Sequence, residues 1–209
     1  MGILAVLMVA VGLAAFKSNQ RKHIEYAEEL GGTVVRDPII SYRYYSFLPR
    51  QLHSFIPMKT VGIKFSPNDP KVTDAVIDQI LGYFPELINL NLSGNRITDQ
   101  FMQKVSAHPN LRILHLSGTG VTDEGVEFLS KSRSLIHVYL DRTKISDECI
   151  VHLSQMEQLQ WLSVATTPLT DKSIETLLQM PKLVYLNVSG TQISKEGKNS
   201  LRKIQVLVD

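Results

Sequence analysis

The chain has 209 residues, 44% of them hydrophobic and 20% charged, a balance that suits one folded domain with an appendage and excludes wholesale disorder. Its net charge is +2, and basic and acidic residues are interspersed, so it lacks the electrostatic footprint of a nucleic-acid binder. The single cysteine, Cys149, excludes an internal disulfide framework.

The chain opens on an uncharged apolar run, Gly2 to Phe16. As a helix, about fifteen residues span roughly 23 Å at ~1.5 Å each, somewhat short of a ~30 Å hydrocarbon core. The run is apolar all round, which predicts a single-pass membrane anchor over 1–16, with Lys17, Arg21 and Lys22 reaching the headgroups. No basic residue precedes the run and several follow it, so the positive-inside rule places the main domain in the cytoplasm. Two alternatives stand beside this: a secretory signal with Gly12 and Ala14 before a cleavage point, which would export the domain, and a buried helix of the globular part.

Residues 17–59 read as a basic linker and an N-terminal cap. His23 to Leu30 has the pattern of a short amphipathic helix, stopped by Gly31 and Gly32. Thr33–Arg36 and Ser41–Tyr45 read as strands, an antiparallel pair around Asp37-Pro38, and Leu48–Phe55 as a helix closed by Pro57. Tyr42, Tyr44, Tyr45 and Phe47 either pack this cap or form a binding patch.

From Pro85 onward one pattern returns every 24 residues, at Pro109, Arg133, Glu157 and Pro181, and a less regular copy runs from Val61 through Ile63 and Phe65 to Asp74. Three apolar columns recur: Leu87, Leu111, Leu135, Leu159 and Leu183; Leu90, Leu114, Val138, Leu162 and Leu186; Leu92, Leu116, Leu140, Val164 and Val188. One residue separates the last two, the period of a strand with one buried face. Asn95, Thr119, Thr143, Thr167 and Thr191 follow, with side chains able to bond backbone where the chain leaves the strand.

Ile97, Val121, Ile145, Leu169 and Ile193 then return to the core. Behind them Thr98, Thr122, Ser146, Thr170 and Ser194 are placed to accept a bond from the free amides of a coming helix. Asp99, Asp123, Asp147 and Asp171 occupy its first turn, where negative charge suits the helix dipole; Lys195 breaks the column, which predicts a weaker start to the last helix. Helical spacing appears in Val126 and Leu129, Ile150 and Leu153, and Ile174 and Leu177. One strand–turn–helix copy buries too little apolar surface to offset its ordering entropy, so copies must stack. Val206–Val208 reads as a final edge strand and a potential oligomerisation surface.

The pattern LxxLxLxxTxITD, as in Leu111 to Asp123, resembles the short leucine-rich repeats of the ribonuclease-inhibitor-like and cysteine-containing subclasses, over roughly Thr60–Ile204. The order of apolar span, basic stretch, short helix ending in Leu-Gly-Gly and extended segment is similar to membrane-anchored leucine-rich-repeat proteins of planctomycete bacteria. The resemblance implies an α/β solenoid over 60–209 with about six repeats, a curved parallel sheet and helices on the convex side. It implies partner binding and no shared chemistry.

On such a sheet the concave face carries the residues between the buried leucines. Its centre collects His115, His137, Tyr139, Asp141, Trp161 and Tyr185, the candidate partner-binding set. Trp and Tyr combine apolar area with a polar handle, which favours them at binding hot spots. Equally, strand positions favour aromatics for cross-strand packing, and both readings stand here. His115, His137 and Asp141 form neither a metal set nor an acid–base constellation, because no further His or Cys and no nucleophile accompanies them. Cys149 reads as a small buried thiol. The expectation is a non-catalytic module for a protein partner, held at a membrane through residues 2–16, with no cofactor, metal, nucleic acid or small-molecule substrate. The alternatives are a structural or self-assembling surface protein joined through the solenoid ends, and an enzyme using the concave face.

Overall fold

The computed structural model describes residues 21–38 and 58–207. The apolar run 2–16, the strand expected over Ser41–Tyr45, the helix expected over Leu48–Phe55 and the aromatics Tyr42, Tyr44, Tyr45 and Phe47 lie outside the described residues. Among the described residues no helix is long and apolar enough to cross a membrane.

Helix α1 covers 21–29 and ends where Gly31, at φ +78°, takes the left-handed conformation that its missing Cβ permits. Strand β1 (Gly32–Pro38) pairs antiparallel with β2 (Met58–Phe65), the strand of the first, irregular copy. The partner of β1 among the described residues is therefore this repeat strand, which extends the sheet by one at its N-terminal end. Helix α1 buries Ile24 and Ala27. It leans on α2 (Asp74–Tyr83): His23 stacks on Tyr83 with ring centres 4.2 Å apart, and the Tyr26 hydroxyl donates to Gln79 Oε1 at 2.8 Å.

The repeats continue as β3 (Asn89–Asn91), α3 (Asp99–Ala107), β4 (Ile113–His115), α4 (Asp123–Leu129), β5 (His137–Tyr139) and α5 (Asp147–Leu153). Then come β6 (Trp161–Ser163), a 3-10 turn leading into α6 (Ile174–Gln179), β7 (Tyr185–Asn187), α7 (Lys195–Ser200) and β8 (Gln205–Leu207). The eight strands form one sheet in chain order, parallel from β2 to β8. Register is fixed by the apolar columns: Ile63, Leu90, Leu114, Val138, Leu162, Leu186 and Val206 stand side by side. A slip of one residue would turn Ile63, Leu90, Leu114, Val138, Leu162 and Leu186, all buried, to solvent.

Leu90, Leu114, Leu116 and Val121 have no exposed surface, and the columns behind them close one continuous core between the sheet and the helices. The Asn/Thr column does what its chemistry permits. The hydroxyls of Thr119, Thr143 and Thr167 each donate at 2.6 Å to the carbonyl three residues back, at Leu116, Leu140 and Val164.

The capping column departs from the sequence expectation. Ser146, Thr170 and Ser194 accept amide bonds from Glu148, Lys172 and Gly197, but Thr98 and Thr122 cap nothing with their side chains. The hydroxyls of Thr98 and Thr122 donate backward to Asp74 and Asp99, as do those of Ser146 and Thr170, which accept forward as well. Asp99 takes both the amide and the hydroxyl of Thr122 at 2.8 Å, Asp123 those of Ser146 at 2.7 and 2.6 Å, and Asp147 those of Thr170 at 2.8 and 2.6 Å. The aspartates thus clip each repeat to the next. In the copy that begins at Pro181 the column holds Lys195, which cannot accept such bonds.

Candidate functional site

Strand geometry positions the open face. Side chains alternate across a strand, so the residues flanking Leu90, Leu114, Val138, Leu162 and Leu186 all emerge on the face opposite the core. Parallel register then builds ladders. Asn89, Ile113, His137, Trp161 and Tyr185 form one, and Asn91, His115, Tyr139, Ser163 and Asn187 the next.

In the middle of these ladders the rings are in contact. His115 stacks on Tyr139 with centres 4.2 Å apart and planes 9° from parallel, and Trp161 stacks on Tyr185 at 3.4 Å and 17°. His137 and Tyr139 meet Trp161 at a tilt, at 5.8 and 6.4 Å. Five of the six candidate residues therefore form one contiguous aromatic ribbon, each ring half-buried by its neighbours. Trp161 Nε1 is shielded from solvent and has no hydrogen-bond partner among the described residues.

Asp141 plays a different part. Its carboxylate accepts from the Ser117 hydroxyl at 3.0 Å, from the Ala165 amide at 2.8 Å and from the Ser163 hydroxyl. That uses three of its roughly four acceptor positions and ties three successive repeats together. In outer repeats the neighbouring task falls to asparagine: Asn91 and Asn187 accept from the amides of Ser93 and Ser189 at 3.0 and 3.1 Å. Where Ser163 takes the asparagine position, Asp141 of the preceding repeat supplies the acceptor for the Ala165 amide. Asp141 is thus a strut beneath the ribbon.

Burial holds both histidines of the ribbon toward their neutral form. Burial pushes the His115 imidazole below its usual range, and His137 and Lys64 add to that against the opposing pull of Asp141. Burial lowers His137 likewise. Burial, then Tyr185 and Asp141, push the Tyr139 phenol up. Among the described residues no group of three His, Cys, Asp or Glu side chains is placed to hold a metal ion. Cys149 is buried on the helix side, its thiol pushed well up by burial and by Asp123 and Asp147, which disfavours the nucleophilic thiolate. Cavities of about 560, 440 and 310 Å³ lie along the loops that return from helices to strands, lined by residues such as Lys131, His108 and Gly82, and away from the ribbon.

One feature of this face escaped the sequence reading. Each repeat leaves its strand through a residue with positive φ, glycine at 94, 118 and 190 but Arg142 and Thr166 in the two repeats that carry Tyr139 and Trp161. The signal was present as two breaks in a glycine column.

Residues 107–130 and 179–197 match a family model described as Leucine Rich repeat. No curated protein matches the chain. Among solved structures, the chain is similar to internalin C2 from Listeria monocytogenes at 20% identity, over 72% of this chain and 80% of that one, with a TM-score of 0.43. It is similar to a pollen receptor kinase 3 at 17% identity, over 72% and 73%, with a TM-score of 0.43. It is also similar to actin-binding site 2 of leiomodin-1 at 12% identity, over 51% and 69%, with a TM-score of 0.43.

Proposed function

We propose that this leucine-rich-repeat chain is a non-catalytic protein-binding module that seats its partner on the open face of the sheet, over Trp161, Tyr185, Tyr139, His137 and His115. Repeats of this kind generally mediate protein–protein contact. The observation that carries the choice of face is the unbroken ribbon of stacked rings, from His115 and Tyr139 to Trp161 and Tyr185. Such a ribbon is rigid before binding, so little side-chain entropy remains to be lost, and it offers apolar area with hydroxyl and imidazole groups at its edge. An extended ladder of rings suits a macromolecule better than a small molecule, which needs a concave pocket that buries most of its surface; the cavities described above lie away from the ribbon. Membrane display belongs to the same proposal: residues 2–16 form the anchor, and the basic residues behind it hold the repeats on the cytoplasmic side.

The test is site-specific photo-crosslinking in the native host. A benzophenone side chain at Tyr185 should capture one protein, and the same group at Val151, exposed on α5, should not. Equal capture at both positions, or crosslinks only between copies of this chain, overturns the reading. Protease added to intact cells should leave the repeats uncut; digestion of the repeats reverses the assigned side.

A further inference from the structure

The left-handed residue that ends each strand recurs through the solenoid as Asn68, Gly94, Gly118, Arg142, Thr166 and Gly190, with φ of 59, 72, 69, 54, 56 and 66°. Side chains other than glycine and asparagine are disfavoured there because Cβ crowds the neighbouring carbonyl. Space does not select the glycine at 118, where an added Cβ meets nothing nearer than 3.8 Å, whereas at Gly94 and Gly190 it would meet Pro67 at 2.8 Å and the Thr166 hydroxyl at 3.1 Å. The cost is in the backbone, and Arg142 and Thr166 carry it in the two central repeats.

The structure around Arg142 holds it in place. Its amide donates to the Ala165 carbonyl at 2.9 Å, as the Gly118 amide does to Asp141 at 2.7 Å, and Asp141 beside it is gripped by Ser117, Ser163 and Ala165. Strained residues that their surroundings over-determine cluster at binding and catalytic sites. The Arg142 side chain is exposed and makes no ion pair or hydrogen bond among the described residues. Lys144, two residues on, is exposed as well. A forked donor is therefore displayed at the rim, one residue beyond the strut of the aromatic ribbon.

Resting on the partner-binding reading above, we infer that Arg142 is a specificity residue of the open face, and that the partner segment it fits is an acidic peptide whose Asp or Glu side chain Arg142 receives. A bidentate guanidinium–carboxylate pair is the geometry a fixed arginine fork offers.

The full chain is used as bait against a displayed library of random peptides. The selected peptides should be rich in Asp or Glu. Changing that acid to its amide should weaken binding roughly ten- to a hundredfold, the range of a charge-assisted hydrogen bond, and Arg142→Gly should do the same. The amide peptide should lose nothing further on the Arg142→Gly chain. Arg142→Gly and Arg142→Asn should melt no lower than wild type, because both residues accept the left-handed backbone; this separates lost recognition from lost fold. Peptides that need Trp161 and Tyr185 but show no preference for an acid, or that ignore Arg142→Gly, overturn this inference and leave the face assignment standing. Peptides indifferent to the double change Trp161→Ala and Tyr185→Ala, or a selection that yields none, overturn both.

Discussion

Removing the carboxylate of Asp147 tests the clips between repeats most directly. Asp147 accepts from the Thr170 amide at 2.8 Å, from its hydroxyl at 2.6 Å and from the Ser173 hydroxyl. Burial raises this carboxyl, but the hydrogen bonds from Ser173 and Thr170 and the charge of Lys172 outweigh it and leave the group below its usual range. At about 1 kcal/mol net for each hydrogen bond, plus a few tenths for a lost charge at a helix N-terminus, the gross effect of Asp147→Ala is about 3 kcal/mol. The group is only partly buried, so water recovers some of this, and about 2–3 kcal/mol is the expected loss. Asp171, which takes only the Ser194 amide at 2.8 Å and is exposed, is the internal control; Asp171→Ala should cost about 1 kcal/mol. Urea unfolding followed by the fluorescence of the single tryptophan, Trp161, reports on the repeat that this clip secures. Because a solenoid is stabilised by nearest-neighbour interfaces, the tryptophan and circular-dichroism transitions should also separate in the variant. The pH dependence has a definite sign. A folded-state value below the ordinary 3.8 contributes stability that is present above 3.8 and is lost as pH falls through the folded value, so wild type and variant should converge in strong acid. Equal losses from the two alanine variants, or an Asp147→Ala chain within about 0.5 kcal/mol of wild type, would refute the reasoning.

Histidine titration follows the same logic. His115 and His137 are lowered from 6.5 by burial, so their contribution is present above 6.5 and disappears as pH falls through the folded values; NMR midpoints above 6.5 would contradict it. Leu114→Ala opens a cavity at a fully buried position and should cost about 2–5 kcal/mol in denaturant unfolding, with a loss under 1 kcal/mol arguing against a shared core. Cys149 should react with a thiol reagent only as fast as the chain opens, since burial and Asp123 and Asp147 keep the thiolate scarce; prompt modification of the native protein would show the site to be accessible.

Columns of like residues at one spacing carry most of the architecture. Leu111, Leu114, Leu116 and Val121 announce their burial because apolar side chains recurring in register can be removed from water only by a strand–turn–helix stack. Gly31, Thr119 and its equivalents were legible for a similar reason: each is a local rule, decided by φ or by a carbonyl three residues away. The positions of His115, Tyr139, Trp161 and Tyr185 on one face follow from alternation along the strand.

What stayed hidden in the sequence depends on distances between repeats. Asp147 reads locally as a residue suited to a helix N-terminus, but stacking brings it against Thr170, 23 positions away, where it becomes a clip. Asp141 reads as one more polar member of the ribbon, and only contact with Ser117, Ser163 and Ala165 turns it into the strut below it. Arg142 looks like a solvated charge until the backbone shows that it occupies a glycine conformation beside that strut. Periodicity in a chain encodes which side chains share a face, because alternation and helical pitch are local properties. It does not encode how closely two copies approach, because that separation is set by the packing of the whole stack.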